Sequence, residues 1–301
     1  VKLLLKHGAK LNDVDEGGCS PLHNAASSGN CSLIQILVYN GAYIHARSKS
    51  MNTPILTAAE NSHLEAIKLL YKLGSSLEDR DLTGNGLLDL SLNTEPATGM
   101  PILSWLTANM PWKLYYHPIW KGSLLGRAIH QSDGNFTAVC YLIDNGADLL
   151  QKARFHGSVL HVAAHYGYTW LTERLLPLIP KEEIAEILDY SSKIYGTALY
   201  AASGQGHERI AEVLLDAGAS INAWSTVHSN VSGTPLMIAY INGHEGVVRL
   251  LLSRGARMTV VNGDGLEGSA LRVARARCVR TLQILQEWEA ATTDRCSYFA
   301  Y

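Results

Sequence analysis

One stretch constrains the fold more than any other. Residues 196–222, GTALYAASGQGHERIAEVLLDAGASIN, read as two short helices folded back on each other. Thr197 is placed to N-cap the first, with Leu199, Ala202 and Ser203 following at helical spacing. The small pair Ala202–Ser203 leaves room for a neighbouring helix, and Gly206 suits the left-handed residue that ends a helix. A second helix is predicted from near His207, with Ile210, Val213 and Leu214 on one face and Glu208, Arg209 and Glu212 on the other. Gly218 stops it. Such a pair cannot bury its own apolar face, so it needs a copy of itself on each side.

The copies are present. Aligned on Thr197, the same slot holds Ser20, Thr53, Gly86, Ser123, Ser158, Thr234 and Ser269, at successive intervals of 33, 33, 37, 35, 39, 37 and 35 residues. Ser20-Pro21-Leu22-His23-Asn24-Ala25-Ala26, Thr53-Pro54-Ile55-Leu56-Thr57-Ala58-Ala59 and Thr234-Pro235-Leu236-Met237-Ile238-Ala239 repeat one spelling, and Ser158-Val159-Leu160-His161-Val162-Ala163-Ala164 differs by Val for Pro. The predicted second helices end alike, at Gly8-Ala9, Gly41-Ala42, Gly74-Ser75, Gly146-Ala147, Gly218-Ala219 and Gly255-Ala256. A period near 33 with a T-P-L-H-x-A core resembles the ankyrin repeat, over nearly the whole chain. The spelling Gly196-Thr197-Ala198-Leu199-Tyr200-Ala201-Ala202-Ser203 is similar to ankyrin arrays at the C-terminal end of fungal NACHT-type NTPase receptors. The resemblance implies an all-α ankyrin-repeat solenoid of stacked helix-turn-helix units with hairpin turns. It also implies that His23 and His161 bond neighbouring repeat turns.

The expected organisation is one array over 1–301. It comprises the end of a truncated repeat (1–12), repeats at 13–46, 47–79, 80–120, 121–152, 153–193, 194–225 and 226–262, and a C-terminal capping repeat and tail at 263–301. The opening VKLLLKHGAKLN matches the second half of a repeat, which suggests a fragment of something longer. Two repeats depart from the pattern. The third (80–120) loses its Gly-Ala terminator and mixes Pro96, Pro101, Pro111 and Pro118 with Trp105, Trp112, Tyr115, Tyr116 and Trp120. Those aromatics either patch an irregular joint in the core or form an exposed binding anchor. In the fifth (153–193), Pro180 followed by acids and periodic apolar residues predicts an extra helix from Lys181.

Composition excludes several classes. Apolar residues make up 47% and charged residues 17%, so the chain is not a disordered tail. Lys and Arg (25) nearly balance Asp and Glu (27), which points neither to nucleic acid nor to an anionic membrane. The five cysteines are scattered without a CxxC, so neither zinc nor a disulfide framework is indicated, and a reducing compartment, cytoplasm or nucleus, fits. No apolar run approaches membrane-span length. Gly263-Asp264-Gly265-Leu266-Glu267-Gly268 fits G-x-G-x-x-G but sits in a turn with no parallel-sheet unit around it, so no dinucleotide site is expected. His207-Glu208 and His244-Glu245 lack the second His of a zinc-protease helix. The run Arg272, Arg275, Arg277, Arg280 reads either as the polar surface of a capping repeat or as a patch for an acidic partner.

No catalytic, cofactor or metal site follows, and the expected function is a non-enzymatic scaffold, monomeric as an array, binding a partner protein on the concave face. The alternative is a regulatory or sensing arm of a larger enzyme or NTPase receptor. By resemblance, contact falls to positions that the repeat does not need for packing. In the turns these are Lys49, Asn52, Arg154 and Phe155, with Glu16 and Ser50. At the helix ends they are Asn61, His130, Gln131, His165, Tyr166 and Asn242, with Ser27, Ser28, Glu60, Gln205 and Ile241. Phe155, His165 and Tyr166 share one repeat and form the expected anchor.

Overall fold

The computed structural model describes residues 7–8, 10–111, 116–117, 122–131, 136–227, 232–261, 267–269 and 283–288. The Arg272–Arg280 run, Gly263, Gly265, Trp112, Tyr115 and Trp120 lie outside them. The chain divides into two compact units, residues 1–148 and 149–301, a boundary at which the repeat spelling shows no break.

In residues 1–148 the helices come in pairs: α1 (Pro21–Ser27) with α2 (Cys31–Tyr39), α3 (Pro54–Glu60) with α4 (Leu64–Lys72), α5 (Leu87–Asn93) with α6 (Pro96–Asn109), and α7 (Leu124–Gln131) with α8 (Thr137–Asp144). First helices stack on first helices, α1 on α3, α3 on α5 and α5 on α7, while α2 packs on α4 and α6 on α8. A short antiparallel pair, β1 (Tyr116–His117) and β2 (Gly122–Ser123), precedes α7. Helices of seven to nine residues such as α1 and α2 are too short to persist alone. What holds them is the stack: Leu22, Ala25 and Ala26 of α1 and Ile55, Ala58 and Ala59 of α3 are all buried, and the alanines permit close approach.

Residues 149–301 repeat the scheme with α9 (Val159–Tyr166), α10 (Thr169–Leu175), a 3-10 turn (Leu176–Leu178), α11 (Lys181–Asp189), α12 (Ala198–Gln205), α13 (Glu208–Asp216), α14 (Pro235–Ile241) and α15 (Glu245–Ser253), then the antiparallel pair β3 (Thr259–Val261) and β4 (Glu267–Ser269). Here α12 packs between α9 and α14, and α13 between α10 and α15. Thr197 caps α12 by accepting the Tyr200 N–H at 3.1 Å. Gly218 adopts φ 98°, which lets the Ala219 N–H turn back to the Leu214 carbonyl at 3.0 Å. The same bond closes α2 at Ala42, α4 at Ser75, α8 at Ala147 and α15 at Ala256, so five of the six expected terminators are C-caps, while Ala9 of the sixth lies outside the described residues. The expected extra helix is α11, and it buries Ile187 and Leu188.

Two sets of histidines fasten one repeat to the next. The His23 Nδ1 accepts the Ser20 N–H at 3.0 Å, and its Nε2 donates to the Asn52 carbonyl, also at 3.0 Å. His161 does the same between the Ser158 N–H (3.0 Å) and the Tyr190 carbonyl (2.7 Å). The second set was not anticipated. His207, at the start of α13, donates Nε2–H to the His165 carbonyl at 3.2 Å, and His244, at the start of α15, to the Gly204 carbonyl at 3.0 Å. The ring of His244 lies so close to Gly206 that a Cβ there would stand 2.5 Å from its Nδ1; Gly167 faces His207 in the same way.

Burial holds the His161 imidazole neutral, its pKa pushed down from the ordinary 6.5 to about 4, although the bond to Tyr190 opposes the shift. A proton on Nδ1 would also confront the Ser158 N–H. Between about 6.5 and about 4 the unfolded chain binds this proton and the native chain does not, so stability rises with pH across that window. The His161 contribution is complete above about 6.5 and is lost as the pH falls towards about 4, on the order of 3 kcal/mol in all. Urea unfolding at neutral and acid pH should show a smaller acid loss in His161→Asn than in the parent chain; equal losses would place the titration elsewhere.

In the third repeat the histidine slot holds Asp89, fully buried. Its Oδ2 accepts the Gly86 N–H at 2.8 Å, so the capping role survives. An aspartate cannot donate to the next turn, and arginines close in instead: the Arg127 Nε lies 3.1 Å from Oδ1 and the Arg80 Nη1 3.8 Å from Oδ2. Arg127 also donates to the Asn85 side chain at 2.8 Å. The second helix of this repeat, α6, carries Pro101 in its interior and runs 14 residues. Its Gly99 sits where a Cβ would meet the Ser91 carbonyl at 2.3 Å, which allows α6 to press against α5. Trp105 is half-buried, edge-on to Tyr71 at 5.6 Å, and so belongs to the packing of this joint.

Candidate partner-binding face

In residues 149–301, α9 and α12 are each preceded by a narrow turn. Ala153 and Gly157 exchange backbone hydrogen bonds of 2.9 and 2.7 Å, leaving Arg154-Phe155-His156 as the tip. Ser192 and Gly196 do the same around Lys193-Ile194-Tyr195. The two tips join, the Lys193 N–H donating to the Arg154 carbonyl at 3.0 Å and the Ile194 N–H to the Phe155 carbonyl at 2.9 Å. The Lys193 Nζ lies 5.9 Å above the centre of the Phe155 ring, within cation–π range. Ile194 is 42% exposed at the crest.

Behind the tips, the ends of α9 and α12 present His165, Tyr166 and Gln205. Tyr195 ties the two layers together. Its ring is buried, 4.5 Å from that of His165 and 5.9 Å from that of His156. Burial first, then the neighbouring Tyr166 hydroxyl to which it is hydrogen-bonded, push the Tyr195 phenol well above its ordinary range. It therefore acts as a neutral hydrogen-bonding post. Tyr166 is exposed, edge-on to His165 at 5.0 Å and stacked with Tyr168 at 5.9 Å. The Gln205 amide lies 3.5 Å from the His165 Nδ1. The result is an aromatic shelf with a buried floor and an exposed rim, made from groups that offer hydrogen bonds and apolar area.

Of the residues expected from sequence, the structure brings His165 and Tyr166 together through Tyr195 and sets Arg154 and Phe155 at the adjoining tip. Asn242 is exposed at the end of α14 and donates to the Gly204 carbonyl at 2.6 Å. In residues 1–148, Lys49 is exposed at a turn tip whose backbone bonds the Gly17 carbonyl at 2.9 Å. Asn61 is exposed and bonded to the Thr57 carbonyl at 2.9 Å; His130 is exposed near the end of α7, and Gln131 is that helix's last residue. Asn52 differs from the accessible contact residue expected. It is buried, its amide donating to Glu60 at 2.8 Å and its carbonyl taken by His23, so it serves the turn itself. Lys193, Ile194 and Tyr195 were missed, although Lys193 and Ile194 stand at the same offset before Thr197 as Arg154 and Phe155 before Ser158.

Stacked helix pairs joined by turns define a helical repeat protein. The chain belongs to the ankyrin-repeat family: the model for ankyrin repeats (3 copies) matches residues 1–81, 125–225 and 188–262. Among curated proteins it is 37% identical over 75 residues to a putative ankyrin repeat protein of Rickettsia bellii, covering 25% of this chain and 31% of that one. It is 24% identical to the palmitoyltransferase AKR1 of Lachancea kluyveri, over 66% of this chain and 28% of the enzyme. It is also 28% identical to the transient receptor potential channel A1 of Drosophila melanogaster, over 70% of this chain and 18% of the channel. The chain thus spans less than a third of the length of these relatives. Among solved structures, the human ASB11 ankyrin repeat domain aligns with 22% identity and a TM-score of 0.46, over 90% of this chain and 98% of that domain. No helix among the described residues is long and apolar enough to cross a membrane.

Proposed function

We propose that this chain is a non-catalytic protein-binding scaffold that takes its partner on the turn-and-first-helix side of residues 149–301. The carrying observation is the shelf around Tyr195, where Tyr166 (36%) and Ile194 (42%) keep substantial exposed surface on rigid supports. Rigid, half-buried aromatics surrounded by polar groups are the usual energetic centre of protein interfaces. Replacing Phe155 and Tyr166 together by alanine should abolish partner capture while lowering the melting temperature little. Capture is read as a photo-crosslinked adduct formed in native extract by a probe at position 194, with a probe at Glu212 of α13 as control. If the double variant unfolds, or captures as before, the assignment of the face fails.

A second reading is favoured by the matched relatives, in which a transferase and a channel carry similar repeats within far longer chains. Here the array would be the regulatory or sensing arm of a larger enzyme or receptor, working through the same face. Finding a P-loop upstream in the same gene product would support it, and a gene product without any catalytic domain would dismiss it.

A further inference from the structure

The charge of this face is segregated in a way that composition conceals. The stretches that build it, 153–168 and 190–207, contain no aspartate or glutamate. The described carboxylates of residues 149–301 stand on α10, α11, α13, α15, β4 and the 283–288 helix. There some of them pair with cations: Glu173 and Glu212 with Arg209 at 3.0 and 2.9 Å, Asp216 with Arg254 at 2.6 Å, and Glu186 with Lys152 just before the first tip. The turn tips are different. Arg154 is exposed and makes no ion pair among the described residues, and the Lys193 ammonium faces the Phe155 ring. The backbone bond between Lys193 and Arg154 brings these two cationic residues together on adjoining tips, next to Ile194.

We infer that the occupant of this face is an acidic segment of a partner protein, an inference that rests on the scaffold reading above. Its carboxylates meet Arg154 and Lys193, and an apolar or aromatic side chain beside them lies over the Ile194–Tyr166 rim. A nucleic acid is the other polyanion, but two cations with no longer basic track beside them among the described residues give little purchase on a phosphate backbone, whereas the apolar crest suits protein side chains.

The test uses the full chain and fluorescence anisotropy with three labelled probes: a twelve-residue peptide of glutamates around a central Leu-Tyr, the same peptide with glutamine for glutamate, and a thymidine oligonucleotide of equal length. The glutamate peptide should bind, lose affinity steeply with salt, and exceed its glutamine counterpart by about tenfold or more. Arg154→Glu with Lys193→Glu should remove that advantage, and Arg154→Gln with Lys193→Gln should reduce it with an unchanged melting temperature. Equal binding of the two peptides, preference for the oligonucleotide, indifference to the substitutions, or no peptide binding overturns the inference. The crosslinking experiment separates this failure from that of the scaffold reading. An adduct at position 194 that forms equally at high salt leaves the scaffold reading standing without the acidic partner, whereas no adduct removes both.

Discussion

Replacing Arg127 by alanine is expected to destabilise residues 1–148 by about 3–5 kcal/mol, the range for breaking a buried ion pair from one side. The Asp89 side chain is fully buried and that of Arg127 is 12% exposed, so water cannot take over the role of the lost guanidinium. The remaining cation, Arg80, stands farther off, at 3.8 Å. The cost arises less from the attraction removed than from the carboxylate left behind in a medium that solvates it poorly. Asp89→Asn combined with Arg127→Met removes both charges and should recover most of the stability. Urea unfolding followed by circular dichroism measures all three chains. A single variant as stable as the parent would show that the pair is dispensable.

Leu214→Ala should cost about 2–5 kcal/mol, by lost transfer energy and by the cavity left behind. Leu214 is fully buried on α13, which packs against α10, α12 and α15. Its carbonyl also anchors the Gly218-Ala219 terminator. Because α13 is packed between three other helices, no single side chain can move in to fill the void. The change acts on folding alone: at temperatures where the variant is still folded, capture through Tyr166 should be unaltered. Loss of capture in the folded variant, or a cost under about 1 kcal/mol, would contradict this assignment.

Features written in local sequence were legible before the structure. The Thr197 cap, the Gly218-Ala219 terminator and the α11 insert each depend on residues within a few positions of one another, where type and spacing suffice. The family resemblance carried the reading further, to the His23 and His161 bridges. What remained hidden depends on partners far apart in sequence. That the histidine slot of the third repeat holds Asp89 is visible in the chain, but its partner Arg127 lies 38 positions away and is set by how successive helices stack. Asn52 was expected at a surface because its slot precedes the cap, yet His23 and Glu60 converge on it only after α1 and α3 meet. Tyr195 was passed over because the turn before Thr197 was weighed for packing rather than contact. Its centrality comes from His165, thirty residues earlier, lying 4.5 Å away in the fold.

The histidines that open α13 and α15 have a bearing on how such a chain can change length. Each ring is carried by one repeat and received by a glycine of the repeat before it, His207 by Gly167 and His244 by Gly206. Plug and socket are chemically the same at both joints, so excising one whole period would present His244 to Gly167 and its Nε2–H to the His165 carbonyl. At this contact the joints are interchangeable, so loss or duplication of a period keeps a histidine seated against a glycine at the seam.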